Sequence, residues 1–207
     1  MTDEFIRDNI EPVISAMEVG DFHRAVRKLA QELGGTMDEG ASRLCMIFPN
    51  DDEVIKIPYL DNTSTDYCAK ELANYESAKR YGVEKILLPV RKFGEYDNGA
   101  SIYIQPKYSF CHSDAEVGWL RRKRDEITYQ RIRASSVFTS LRCKFYQSRI
   151  SDDWLMFVYA KYGKKFCRSL IKWTNDCKVN DLHMSNVGYL HGNPIILDYA
   201  GYFGSSY

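Results

Sequence analysis

No apolar run in this chain approaches the roughly 18 residues that crossing a bilayer requires; residues 154–160 are among the longest. The first residues, with Asp3, Glu4 and Asp8, lack the basic and then apolar stretches of a secretory leader. The expected location is therefore the cytoplasm, and no membrane partner is expected. Charge of one sign is lacking too: 28 Lys and Arg balance 28 Asp and Glu, so no global field draws the chain onto nucleic acid, which is not expected as a partner. Cys45, Cys68, Cys111, Cys143, Cys167 and Cys177 form no C-x-x-C pair, which argues against a zinc knuckle or a thioredoxin-like centre. Buried, reduced thiols are the expectation. Internal repeats and low-complexity linkers are missing as well.

What is present suits a folded chain. Hydrophobic residues at 44% and charged residues at 27% exclude disorder as the main state, and 207 residues suffice for one well-cored domain. Phe5, Ile6, Ile10, Val13, Ile14 and Met17 recur near a 3.6-residue period, and Phe22, Val26, Leu29 and Ala30 resume it after Gly20, so the first thirty residues read as helix. Gly34, Gly35 and Gly40 break that pattern. Strands are expected at 44–48 and 53–57 around a turn at 49–52, a helix over 67–81, and strands at 88–93 and 101–108 around Asp97-Asn98-Gly99. From 114 to 175 helical patterns dominate, with a break near 148–153. The chain closes with strands at 187–190 and 194–199 around His191-Gly192-Asn193. A mostly β half followed by a mostly α half predicts an α+β fold of two lobes.

The informative stretch lies near the end. Asn186 and Asp198 are each six positions from Gly192, and equidistance from a tight turn predicts that they face one another. An amide oxygen and a carboxylate aimed at one point are hard ligands suited to Mg²⁺, which takes waters and phosphate oxygens as its other ligands. Asp181 would stand at the mouth of the same site. A surface hairpin with a turn-capping Asp and Asn is the plainer alternative. Farther back, Val54 and Lys56 alternate with Ile55 and Ile57, so Val54 and Lys56 share one strand face. The order Lys, helix Glu, Asp, Asn, Asp is the order of the protein-kinase signature set.

On those residues the chain resembles the protein-kinase-like fold, and in particular small serine/threonine protein-kinase-like proteins of tailed bacteriophages. The resemblance rests on Gly40-Ala41-Ser42-Arg43, Val54-Ile55-Lys56-Ile57-Pro58, Asn180-Asp181-Leu182-His183, Ser185-Asn186-Val187-Gly188-Tyr189 and Ile196-Leu197-Asp198-Tyr199-Ala200-Gly201. It implies a minimal bilobal kinase-like fold: a helical extension over 1–32, an N-lobe of antiparallel sheet plus one helix over 33–108, and a truncated helical C-lobe over 109–207. It implies ATP and Mg²⁺ as cofactors. Lys56 would pair with the α- and β-phosphates, Asp181 would accept the proton of the attacking hydroxyl, and Asn186 and Asp198 would hold Mg²⁺. Val54 would cover the adenine, with Gly40 and Ser42 in the loop over the phosphates. Two carboxylates compete as the partner of Lys56. Spacing favours Glu76; the helix face favours Glu71, because Tyr75 and Ala78 continue a packable stripe from it, and Glu71 is preferred.

The sequence departs from that family in places. Gly34, Gly35 and Gly40 do not spell G-x-G-x-x-G, and Val179-Asn180 stands where protein kinases carry His-Arg. His183 takes the position where many carry Lys; contact with the γ-phosphate and plain packing are both open. The metal triplet reads Asp198-Tyr199-Ala200. Only nine residues follow Asp198, so the segments that hold a peptide substrate are expected to be missing. The expected activity is phosphoryl transfer to Ser, Thr or Tyr of proteins, the chain itself included, in a host bacterial cytoplasm. The alternatives are a kinase-like binding module and a small-molecule kinase of aminoglycoside or choline type. Residues 119–149 hold nine basic residues against two acidic ones, which reads first as a solvated helix face and alternatively as the surface where a protein substrate or host protein partner docks.

Overall fold

The computed structural model describes residues 2–40, 42–60, 66–108, 126–146, 150–180 and 182–200. It is α+β, and the chain divides into two compact units. The first comprises Met1–Ala73 and Pro89–Lys107, the second Asn74–Leu88 and Tyr108–Tyr207. Residues 1–32 thus belong to the first unit together with the sheet, while 74–88 go with the second.

In the first unit, α1 (Asp3–Asn9), α2 (Glu11–Ser15) and α3 (Phe22–Glu32) follow the periodicity of the sequence. Thr2 caps α1 by accepting the Phe5 N–H at 3.2 Å, and Pro12 opens α2, where a missing N–H costs nothing. Ile6, Ile10 and Ile14 are wholly buried, as are Phe22, Val26 and Ala30 one helix later, whereas Val13 faces outward. The glycine pair after α3 is a cap: Gly34 (φ +75°) donates to Gln31 O at 3.0 Å and Gly35 to Ala30 O at 2.8 Å, a Schellman pattern. Directly after it comes a strand that the glycines had concealed, β1 (Thr36–Glu39). Its polar, exposed residues suit its place at the sheet edge.

β2 (Arg43–Ile47), β3 (Glu53–Pro58), β4 (Arg91–Glu95) and β5 (Ser101–Pro106) complete a five-stranded antiparallel sheet in the order β1-β2-β3-β5-β4. Alternation gives it two distinct faces. Leu44, Met46, Ile55, Ile57, Ile102 and Ile104 face the helices α1–α3 and form one core with them. The opposite face carries Arg43, Cys45, Lys56 and Tyr103, set side by side by the pairs Cys45–Lys56 and Lys56–Tyr103. The turn at Asn98 ties the sheet to α2: its Nδ2 donates to Ile14 O at 2.8 Å and Met17 O at 3.1 Å.

Helix α4 (Tyr67–Tyr81) spans the predicted range; its residues 67–73 belong to the first unit and 74–81 to the second. The second unit also holds α5 (Glu126–Arg133), α6 (Ser136–Tyr146), α7 (Asp152–Asp176) and a hairpin of β6 (Val187–Leu190) and β7 (Asn193–Ile196). Ser151 caps α7 by accepting the Trp154 N–H, and Gly163 (φ +79°) interrupts it, a break that periodicity did not announce. Trp154 Nε1 donates to Gly188 O at 3.3 Å, anchoring the hairpin on α7.

Two expectations change here. The strand expected at 88–93 begins only at Arg91. Leu88 instead donates to Ile196 O at 2.9 Å in a parallel bridge within the second unit. Burial of the thiols holds for Cys68 and Cys167 but fails for Cys143, which is exposed on α6; Cys111 lies outside the described residues. Among the described residues no helix is long and apolar enough to cross a membrane.

Candidate functional site

In the first unit the chemistry gathers on the sheet face opposite α1–α3. Lys56 is the central residue of β3 on that face. Its Nζ lies 3.0 Å from Glu71 Oε2 and 3.4 Å from Oε1. Glu71 comes from the first half of α4 and is 0% exposed, while the Lys56 side chain is 7% exposed. Glu76, favoured by spacing, lies on the outer face of α4 and pairs with Lys79 at 2.6 Å. The buried stripe of α4 explains the outcome: Cys68, Glu71, Asn74, Ser77 and Ala78 recur at helical spacing, so the inward face is largely polar. Asp66 starts this helix. One of its oxygens accepts Ala69 N–H at 2.9 Å and the other accepts Tyr103 OH at 2.8 Å.

A second cation reaches the same carboxylate. Arg43 Nη1 lies 3.5 Å from Glu71 Oε2, with its side chain 11% exposed. Sequence reasoning quoted Arg43 in the run Gly40-Ala41-Ser42-Arg43 but gave it no role. Burial pushes the Cys68 thiol up to about 12, helped by the nearby Glu71 charge. The Cys45 thiol is raised by burial as well, against the opposing pull of Lys56 and Arg43. Both thiols are therefore protonated and inert at neutral pH.

Val54 is half-buried on the Lys56 face, paired with Ile47 and Gln105. The loop between β1 and β2 is tight: Gly40 N–H donates to Arg43 O at 3.0 Å, so this amide is engaged within the turn. Gly40 O accepts the Tyr59 hydroxyl, and Ser42 O accepts Tyr59 N–H at 3.2 Å.

In the second unit, the hairpin carries Asn186 and Asp198, but in a different register from the one expected. Val187 pairs with Ile196 and Leu190 with Asn193, leaving a two-residue turn of His191 (φ +49°) and Gly192 (φ +70°). Both positive φ values mark the turn type that matches strand twist. The turn centre falls between these residues rather than on Gly192, so the residue opposite Asn186 is Leu197, whose N–H donates to Asn186 O at 2.8 Å. Asp198 stands one residue beyond that pair, past the end of β7. Its Oδ1 accepts Ala200 N–H at 3.3 Å. Asn186 ends a short 3₁₀ turn (Met184–Asn186), with its N–H on His183 O at 2.8 Å; His183 is exposed at the start of that turn. Asp181 lies outside the described residues.

Beside Asp198 the backbone is held from two directions. The Tyr199 ring is buried, its hydroxyl donates to Leu88 O at 2.7 Å, and its carbonyl accepts Asn74 Nδ2 at 2.7 Å. The same Nδ2 lies 3.4 Å from Ala200 O. Asn74 was not expected to have a role, because a polar residue in mid-helix reads as solvent-facing.

Among the described residues no group of three or more His, Cys, Asp or Glu side chains could hold a metal ion. Asn186 and Asp198 are both half-buried, and an amide oxygen and a carboxylate are donors of the hard kind that Mg²⁺ takes. Of the basic segment 119–149, residues 119–125 and 147–149 lie outside the described residues. Two of its arginines meet α7 at Asp152, Arg142 at 2.9 Å and Arg133 at 3.9 Å, which locally offsets its charge. No protein-family model, no curated protein and no solved structure matches the chain.

Proposed function

We propose that this chain is a phosphotransferase of minimal protein-kinase-like type that uses ATP with Mg²⁺ and transfers the γ-phosphoryl group to a protein hydroxyl. The observation that carries the reading is the ion pair of Lys56 and Glu71, at 3.0 Å and almost wholly buried between a strand and a helix. Burying two charges rarely adds stability over an apolar pair of the same volume, so a buried lysine held this way is better explained by use than by stability.

On this reading Glu71 orients Lys56, and Lys56 holds the α- and β-phosphates. Val54, on the same strand face, lies against the adenine. Asn186 and Asp198 hold Mg²⁺, which when bound neutralises charge on the phosphate oxygens. Asp181 takes the proton of the acceptor hydroxyl as its oxygen bonds to the γ-phosphorus and the bond to the β–γ bridging oxygen breaks, releasing ADP. His183, exposed in the same segment as Asn186, would contact the γ-phosphate.

The test uses the whole chain with Mg²⁺ and γ-labelled ATP, beside Lys56→Ala and Asp198→Ala. Label in the wild type, reduced about a hundredfold or more in both variants, is the expected result. Magnesium-dependent nucleotide binding without label would reduce the protein to a nucleotide-binding module. No nucleotide binding by the folded wild type would overturn the reading.

A further inference from the structure

In the hairpin of β1 and β2 the backbone amide of Gly40 is already engaged. Three residues, Gly40-Ala41-Ser42, join β1 to β2, and the Gly40 amide donates to Arg43 O at 3.0 Å. Tyr59 fastens the loop from beside, through its hydroxyl on Gly40 O and its N–H on Ser42 O. A glycine-rich loop needs length and outward amides to wrap an anion. The Gly40 amide is turned inward, onto Arg43 O.

A side chain at the end of the same turn takes another course. Arg43 lies on the sheet face that carries Lys56, and its guanidinium reaches Glu71 Oε2 at 3.5 Å, the oxygen that Lys56 holds at 3.0 Å. Both cations are almost wholly buried and converge on one carboxylate. Arginine carries five N–H donors in a planar fork, a shape that matches phosphate oxygens. The longer contact is also the weaker one, so Lys56 is the principal partner of Glu71 and Arg43 the one more readily exchanged.

We propose that Arg43 is the second phosphate-binding cation of the nucleotide site, gripping the terminal phosphates of a nucleoside polyphosphate beside Lys56. This rests on the phosphotransferase reading. Glu71 then serves both cations, as the carboxylate that keeps them aligned on one face of the sheet.

The experiment is calorimetric titration of the whole chain, with Mg²⁺, against adenosine, AMP, ADP and ATP, for wild type, Arg43→Met and Arg43→Gln. In Arg43→Met the affinities for ADP and ATP fall about tenfold to a hundredfold, as expected for lost charge-assisted hydrogen bonds, while adenosine and AMP stay within about twofold. Arg43→Gln, which keeps donors without charge, shows the same pattern and decides the matter if Arg43→Met does not fold. An equal loss for all four ligands, or wild-type affinity for ADP and ATP in the variants, would overturn the role of Arg43 while leaving the site intact. A wild-type protein that binds adenosine as tightly as ATP would overturn the phosphotransferase reading, and this inference with it.

Discussion

Replacing Glu71 by glutamine keeps the shape of the side chain and removes only its charge. Two cations then lose their common counter-charge, Lys56 at 3.0 Å and Arg43 at 3.5 Å, with side-chain exposures of 7% and 11%. At an effective dielectric constant of about 20, each attraction is worth on the order of 5 kcal/mol before desolvation is counted. Desolvation was already incurred on folding, so the variant forfeits the attraction without recovering hydration. Removing one partner of a buried pair costs about 3–5 kcal/mol, and the upper end applies where the carboxylate serves two cations. For a chain of this size that corresponds to a fall in Tm of roughly 6–20 °C, measured by thermal circular dichroism at pH 7. Lys56→Met should cost less, about 1–3 kcal/mol, because Glu71 keeps Arg43 as its partner. The ordering is the decisive feature. If Lys56→Met destabilises more than Glu71→Gln, or if Glu71→Gln lies within about 1 kcal/mol of wild type, the carboxylate is not the hub of this cluster.

Other consequences concern the second unit and the thiols. Asn74→Leu removes the buried hydrogen bonds to Tyr199 O and Ala200 O, at a cost of about 1–3 kcal/mol in urea unfolding. The same variant should also raise the Mg²⁺ concentration needed for nucleotide binding, since the backbone after Asp198 loses its anchor; unchanged Mg²⁺ dependence would show that Asn74 serves stability alone. With a thiol reagent at pH 8, Cys143→Ser should remove one equivalent of fast-reacting thiol, whereas Cys68 and Cys167, whose thiols burial pushes up to about 12, react only as the protein unfolds. The sign of the linkage follows: the unfolded chain releases these protons near pH 8.5 and the native chain does not, so stability falls as pH rises through that range. Constant stability between pH 7.5 and 10 would contradict it.

Much of the architecture was legible in local pattern. The helix over 67–81 and the faces of β3 follow from periodicity, because helical and extended backbones impose their own repeats on neighbouring side chains. The preference for Glu71 over Glu76 was legible for the same reason, although the stripe that buries Glu71 proved polar rather than aromatic. Thr36–Glu39 was not legible, because an edge strand with one polar face and two preceding glycines carries the composition of a loop.

The hairpin shows where local pattern stops. Its existence is written in His191-Gly192-Asn193, but its register depends on which two residues take positive φ, and moving the turn centre by half a residue puts Leu197 rather than Asp198 opposite Asn186. The isolated residues Arg43 and Asn74 had no pattern to announce them, since each acts on a group remote in the chain. Arg43 meets a carboxylate 28 positions away, and Asn74 a carbonyl 125 positions away. The sequence by itself determined most of the elements, their inward faces and which residue types stand on them. Only the tertiary structure decided which of those groups meet, because hydrogen bonds and ion pairs depend on ångström distances between segments, and spacing along the chain carries no information about those distances.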